Sequence, residues 1–254
     1  GLEAPRRVWV HGWLLVQGER MSKSRGNFLD PWAVVRAFGP DGARYVTLRE
    51  VAFDRDSDVS WDSFVRRYNA DLANDFGNLV NRTVSMVQRY LGGERPAPRP
   101  AGASPLAEGW AETLGRVRDR IEGCLLHEAL AELWAYVGGA NRTVDAEQPW
   151  VLARSAQAGD AEAAARLRGV LGDLVEACRL VALAVAPFMP GAAPRILAQL
   201  GYAFPYGPDG NGGPSLLDEL RWGRYAGVAG QVGRPEPLFP RLETEAEGEV
   251  PAER

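Results

Sequence analysis

Residues 18–27 read Gly-Glu-Arg-Met-Ser-Lys-Ser-Arg-Gly-Asn, and Lys23 within them is the only lysine of the chain. Every other cationic side chain among the 29 Lys+Arg is an arginine. An ammonium is a compact, mobile point charge on a flexible stem, whereas a guanidinium is a rigid fork. Small hydroxyl neighbours, Ser22 and Ser24, let a loop lie close to an anion, and Gly26 frees its backbone. The chemistry this composition permits is the placing of positive charge on transferring phosphate oxygens, with Lys23 as the charge. The same run is also ordinary loop composition, and the residues by themselves leave both readings open.

A second set of residues suits a different task. Asn78 and Arg82 are four apart in a helical stretch and share a face. That face lies more than about 100° from the apolar stripe, so both should point away from the core. Asp71, Asp75 and Arg89 fall on the same side, where they would make ordinary surface pairs of little energetic worth. Trp150 follows Pro149 at a helix start. There it either plugs the end of a helical core or offers its ring to an unstacked base, the usual device for reading single-stranded RNA. Asn141 and Arg142 precede the same turn and either lie near that surface or cap the helix end.

The elements that must position these groups can be read from periodicity. Val8–Val10 and Trp13–Val16 are β-formers, with a turn at Gln17-Gly18. Asp30 caps a short helix with Pro31 in its first turn, and Gly39-Pro40-Asp41-Gly42 breaks it. Residues 43–51 form a second short helix or a strand. A polar connector ends in a helix cap at Ser60 or Asp62. From Phe64 to Leu91 the positions Phe64, Tyr68, Leu72, Phe76, Leu79, Val80, Thr83, Val87 and Leu91 keep to one face. Gly92-Gly93 ends that helix. Residues 94–109 read as an aperiodic Pro/Ala/Gly linker. A second long helix is expected over about 111–144 and a third over about 161–186, with a shorter one opened by Pro194. Beyond Tyr202 the sequence is irregular and ends in an acidic tail expected to be disordered. The fold class is mainly α: an antiparallel helix bundle preceded by a small α/β remnant.

Composition narrows the classes. At 254 residues, 46% hydrophobic, the chain can fill a core. A formal net charge of −4 announces no nucleic-acid partner, so any basic surface is local. Two separated cysteines and two isolated histidines make no metal-ligand cluster and fit a reducing, cytoplasmic compartment. The apolar run near 180–188 is too short to span a bilayer. The opening Gly-Leu-Glu-Ala-Pro-Arg-Arg lacks a methionine, and a fragment or processed product is the expectation.

Arg20–Asn27, "RMSKSRGN", resembles the KMSKS signature of class I aminoacyl-tRNA synthetases, with Arg20 in place of the first lysine. Its approach, "VHGWLLVQGE", resembles that of the methionyl-tRNA synthetase family, as do "SWDSFVRRYNADLANDFGNLVNR", "ANRTVDAEQPWVLAR" and "PEPLFPRLE". The resemblance spans nearly the whole chain. It implies that Arg20, Met21, Ser22, Lys23 and Ser24 contact ATP, carried with Mg2+, and that Lys23 and Arg20 act on the transition state of adenylate formation. It implies that Asn78, Arg82 and Trp150 read the CAU anticodon of tRNA(Met). Residues 1–36 would be the end of a Rossmann-like catalytic domain and 37–61 a stem-contact connector. Residues 62–241 would be a class Ia anticodon-binding domain and 242–254 a tail. The HIGH-type motif, most of the methionine pocket and the family's zinc insertion are not in these residues, so the isolated chain is expected to be inactive. No metal site is expected within it and no membrane contact. With no appended oligonucleotide-binding domain, a monomer is expected. Two rivals stay open: a leucine, isoleucine, valine or cysteine enzyme of the same class, and a tRNA-binding module without catalysis.

Overall fold

Gln17 and Gly18 both take left-handed backbone angles (φ 56° and 77°) and close a tight hairpin between β1 (Leu14–Val16) and β2 (Glu19–Arg20). The computed structural model describes residues 4–5, 8–22, 24, 26–207 and 213–243. In the hairpin Leu15 stands opposite Arg20. The other edge of β1 pairs in parallel with β3 (Ser57–Asp58), Leu14 opposite Ser57, to complete a three-stranded sheet. The expected strand is therefore shorter than its apolar residues suggested. Residues 8–12 lie outside the sheet, Trp13 joins it only through its carbonyl, which accepts from the Ser57 amide at 3.0 Å, and Val8, Val10 and Trp13 are exposed.

The polar connector supplies the clamp that holds this hairpin. The Asp56 carboxylate accepts from the Trp13 amide at 2.7 Å, and Asp58 accepts from the Gly18 amide at 2.8 Å. The connector passes so close to Gly12 that a Cβ there would lie 2.2 Å from the Arg55 carbonyl.

Asp30 caps α1 (Pro31–Glu50) by accepting from the Trp32 and Ala33 amides, with Pro31 in the first turn as expected. At Gly39 the backbone leaves the helical region (φ 68°, ψ 166°), Pro40 restarts the helix, and residues 43–50 are helical rather than extended. Ser60 and Ser63 form a reciprocal capping box that starts α2 (Trp61–Arg67).

The long helical stretch that follows is not uniform. Tyr68–Gly77 is a π segment, and α3 (Asn78–Leu91) resumes the α geometry until Gly92 stops it. The cause lies in the pattern: Phe64, Tyr68, Leu72 and Phe76 are each four apart. On an α-helix a step of four drifts by about 40°. In the π segment, with more than four residues per turn, the same step drifts the other way, so the change from α to π geometry offsets the drift and all four are buried. It also rotates Asp71 inward. Asp71 was expected on the outer face, yet it is only 7% exposed and accepts from the Tyr45 hydroxyl of α1 at 2.6 Å. Arg67 and Arg49 flank the same carboxylate at 3.5 and 3.8 Å.

The expected second long helix is two helices. α4 (Pro105–Glu122) starts earlier than periodicity indicated, with Ser104 as its cap, and α5 (Leu126–Glu147) packs back against it. The break comes at Gly123 and at Cys124, whose φ is 57°. Leu114, Val117, Ile121 and Leu125 carry an apolar pattern straight through it, and this hid the turn. The remaining helices are α6 (Pro149–Gln157), α7 (Ala161–Ala184), α8 (Ala192–Gln199) and the single turn α9 (Leu216–Glu219).

From Val170 to Ala184 every residue of α7 is buried, as expected of a helix at the centre of a core. Its polar members must then be paired. Asp173 accepts from the Arg99 amide and side chain and from the Ser104 hydroxyl. Arg179 forms a two-point pair with Glu176 and donates to the carbonyls of Glu219 and Arg221. The segments near 94–104 and 216–232, aperiodic in sequence, are thus fixed by polar groups of the central helix and by bonds to each other, such as Arg95 to the Gly230 and Val228 carbonyls, rather than by stripes of their own. No helix among the described residues is long and apolar enough to cross a membrane.

Candidate functional site

The lysine loop leaves β2 at Arg20 and returns to α1 at Asp30. Asn27 staples its ends: its side-chain amide donates to the Arg20 carbonyl at 3.2 Å and its oxygen accepts from the Ser22 amide at 2.9 Å. The Ser22 and Ser24 hydroxyls lie 2.8 Å apart. The Met21 amide donates to the Leu14 carbonyl, and its half-buried side chain packs on the core. Gly26 (φ 73°) makes the return turn. The exposed guanidinium of Arg20 stacks on the Trp13 ring, 4.3 Å from its centroid. Lys23 lies outside the described residues; its neighbours form a short, hydroxyl-lined loop whose backbone is fixed at both ends.

The helical face is built where the π segment and α3 run beside α5. Trp134, Asn141 and Asp145 of α5 meet Asp71, Asp75 and Arg82 in that order, so the two helices run parallel here. The Trp134 indole donates to the Asp71 carbonyl at 2.9 Å, and the Asn141 amide donates to the Asp75 carbonyl at 3.3 Å. Asn141 therefore helps to hold the π segment. Arg142 turns the other way, into the groove between α4 and α5. Asn78 is exposed at the start of α3. Arg82 is half-buried and pairs with Asp145 at 3.2 Å, which sets it against the α5–α6 corner. Gln148 (φ 44°) turns that corner, and Trp150 follows on the first turn of α6, 40% exposed. It is neither a core plug nor fully solvated. One side of its ring lines a cleft of about 250 Å³ with Arg89, Tyr90 and Arg154.

A family model described as "tRNA synthetases class I (M)" matches residues 1–84. The methionine–tRNA ligase of Clostridium tetani is 36% identical over 253 residues, 97% of this chain. That of Mycobacterium leprae is 42% identical over 206 residues, 79% of this chain. Two crystal structures of the methionyl-tRNA synthetase of Mycobacterium tuberculosis are similar in fold. The free form has a TM-score of 0.75 at 34% identity, and the form bound by methionyl-adenylate has 0.77 at 36%. They cover 96% and 94% of this chain. The chain belongs to the methionyl-tRNA synthetase family. It spans little more than a third of the curated relatives, 36% and 37% of their lengths, and 45% of the solved chains.

Within that family frame, the candidate residues sort into two places. Arg20, Met21, Ser22 and Ser24 sit together on the hairpin loop. Asn78, Arg82 and Trp150 gather around the corner where α5 meets α6. Two neighbours escaped the sequence reading. Asn27 carried only a weak signal, an asparagine just past the Gly26 turn. Asp145 carried none, because it meets Arg82 only through the packing of α5 on α3.

Proposed function

We propose that this chain is the part of a methionine–tRNA ligase that supplies the ATP loop and the anticodon reader. In this reading the methionine carboxylate attacks the α-phosphorus of ATP, pyrophosphate leaves, and methionyl-adenylate forms. The methionyl group then passes to a terminal ribose hydroxyl of tRNA(Met), and AMP leaves. Lys23 places its ammonium on the phosphate oxygens as charge builds in the first step. Arg20 contributes a second cation once it leaves Trp13, and Met21, Ser22 and Ser24 shape the loop over the nucleotide. ATP enters with Mg2+ on its phosphates.

Residues 1–36 act as the closing piece of a Rossmann-like catalytic domain, and 37–61 as the stem-contact connector. Residues 62–241 act as the anticodon-binding bundle, in which Trp150 stacks on a base while Asn78 and Arg82 bond to base edges of CAU. The exposed Val8, Val10, Trp13 and Trp32 support this division, because an apolar surface of that kind suits the other half of the nucleotide site. The protein acts in the cytoplasm as a monomer.

The observation that carries the reading is 36% identity across 97% of the chain, a stretch that holds both the loop and the helical face. The test is methionine-dependent ATP–pyrophosphate exchange by the intact protein that carries this chain. The isolated 254-residue chain should show no exchange. Exchange by the intact protein that ignores methionine, or methionine-dependent exchange by the chain alone, would overturn the assignment.

A further inference from the structure

The cleft beside Trp150 holds more chemistry than anticodon reading requires. Trp150, Arg154 and Gln157 fall at i, i+4 and i+7 on α6 and present one face. Across the cleft stand Arg89 and Tyr90, in the last turn of α3, and Ala153 closes the floor. Arg89 and Arg154 are exposed, and among the described residues neither has a carboxylate within 4 Å. No acidic residue lines the cleft, although Asp+Glu outnumber Lys+Arg by 33 to 29 in the chain. Two guanidiniums converging without an anion repel each other, an arrangement that a bound phosphate reverses. The walls suit the rest of a nucleotide: the Trp150 ring on one side and Tyr90 on the other, with the Arg89 guanidinium 5.7 Å from the Tyr90 centroid. Cations paired with aromatic faces are the usual means of holding single-stranded nucleic acid without reading its sequence.

Position fits the chemistry. Asn78, Arg82 and Arg89 lie within about 40° of one another around α3, and Asn78 and Arg89 are about 16 Å apart along its axis. A strand whose bases meet Asn78 and Arg82 continues naturally toward Arg89. We propose that the cleft between α3 and α6 is a backbone subsite for the RNA loop. Arg89 and Arg154 clamp a phosphate of a nucleotide that flanks the anticodon, and Tyr90 packs on that nucleotide. The proposal rests on the anticodon reading of Asn78, Arg82 and Trp150 and extends it to sequence-independent grip.

The test uses the 254-residue chain and anticodon stem-loop RNAs carrying CAU or a scrambled triplet, titrated by fluorescence anisotropy at several salt concentrations. The variants are Arg89→Gln/Arg154→Gln and Arg82→Ala. The double variant should bind both RNAs at least about tenfold more weakly. Its plot of log affinity against log salt should be shallower by about 1.4, the loss of two single-strand phosphate contacts. Its melting temperature should stay at the wild-type value, since both side chains are exposed. Arg82→Ala should instead erase the preference for CAU and keep most of the salt slope. Unchanged affinity and slope in the double variant would overturn the subsite, and the anticodon reading would stand if Arg82→Ala still lost the CAU preference. A wild-type chain with no CAU preference but an intact slope effect would overturn the anticodon reading and support the subsite. No measurable binding by the wild-type chain would overturn both.

Discussion

The lysine loop and the central helix α7 are held in opposite ways. The loop hangs on a hairpin of one three-residue and one two-residue strand and a few side-chain bonds, chiefly the two made by Asn27, among half-buried and exposed neighbours. α7 is buried on all sides along its second half, and even its ionic groups are fully partnered. Local opening costs least where buried apolar contacts are few. In the proposed reading, the loop closes over the nucleotide while the helices keep Asn78, Arg82 and Trp150 in fixed relation. In the same reading, the chemistry sits on the part held by few contacts and the recognition on the part buried in the bundle.

The largest effects should separate the two regions cleanly. Lys23→Ala in the intact enzyme should cut ATP–pyrophosphate exchange by about 10²–10³, the scale of one lost transition-state contact of about 3–4 kcal/mol. Thermal melting should not change. Lys23→Arg should also be impaired, because the fork does not follow the path of an ammonium. Leu174→Ala, in the fully buried part of α7, should do the reverse. It should cost about 2–5 kcal/mol of stability and leave exchange per folded molecule near wild type. Melting and exchange measured on both variants decide the matter. If Lys23→Ala lowers the melting temperature as much as Leu174→Ala does, the contrast between a lightly held loop and a buried frame is wrong.

Trp150 sits between these extremes, so its replacement sharpens the comparison. At 40% exposure its removal leaves no large cavity, and stability should change by about 0.5 kcal/mol. Stacking on a base contributes about 1–3 kcal/mol, so Trp150→Ala should weaken tRNA binding by about tenfold or more. A large fall in melting temperature with unchanged affinity per folded molecule would mark the tryptophan as a packing residue.

The hairpin region and the bundle were not equally legible in the sequence. Local signals worked where the chain decides its own geometry: the Gln17-Gly18 turn, the Asp30 cap with Pro31, the helix start at Ser60 or Asp62, which the structure gives to Ser60, and the Gly92 stop. The apolar stripe of the first long helix was read correctly, but its four-residue steps were not recognised as a demand for a π turn, and so Asp71 was placed outside. The α4–α5 corner was missed because Leu114 through Leu125 continue a helical pattern across it. The segments near 94–104 and 216–232 had no periodicity to read. What orders them is Asp173 and Arg179 of a helix distant in sequence, together with the backbone pairing of the two segments around Glu94 and Gln231. In the candidate site the motif residues were visible, because each carries chemistry in its own side chain. Asn27 and Asp145 were not, because they act by holding others.

Asn27→Ala tests the staple. Losing two hydrogen bonds at about 0.5–1.5 kcal/mol each should slow exchange by about 5–150-fold. The melting temperature should be unchanged, since the loop contributes little to the core. Asn27→Asp keeps the acceptor for the Ser22 amide and loses the donor to the Arg20 carbonyl, so it should fall between. Full activity in Asn27→Ala would mean that the loop's closed shape is set elsewhere.

The smallest expected effect lies on the rigid side and is read by pH. His127, on α5, is buried, and among the described residues neither ring nitrogen has a hydrogen-bond partner. Burial pulls its pKa below the ordinary value near 6.5, and the Glu128 carboxylate 3.8 Å away pulls it only partly back. Asp54, Arg55 and Arg49 complete the charges that act on the ring. The folded state thus takes up the proton less readily than the unfolded chain. As pH falls below about 6.5 the unfolded state binds more protons, so stability drops and then levels off below the folded-state pKa. His127→Leu removes this contribution. Melts at pH 7.5 and 5.0 should show a smaller fall for the variant than for the wild type, while acid effects from carboxylates are shared by both. At pH 7.5 the variant should be as stable as the wild type or more so by about 1 kcal/mol, because two unpartnered polar atoms give way to an apolar group. An equal fall in both proteins would sink the idea that the imidazole is held neutral by burial, and would leave the frame around α5 insensitive to mild acid.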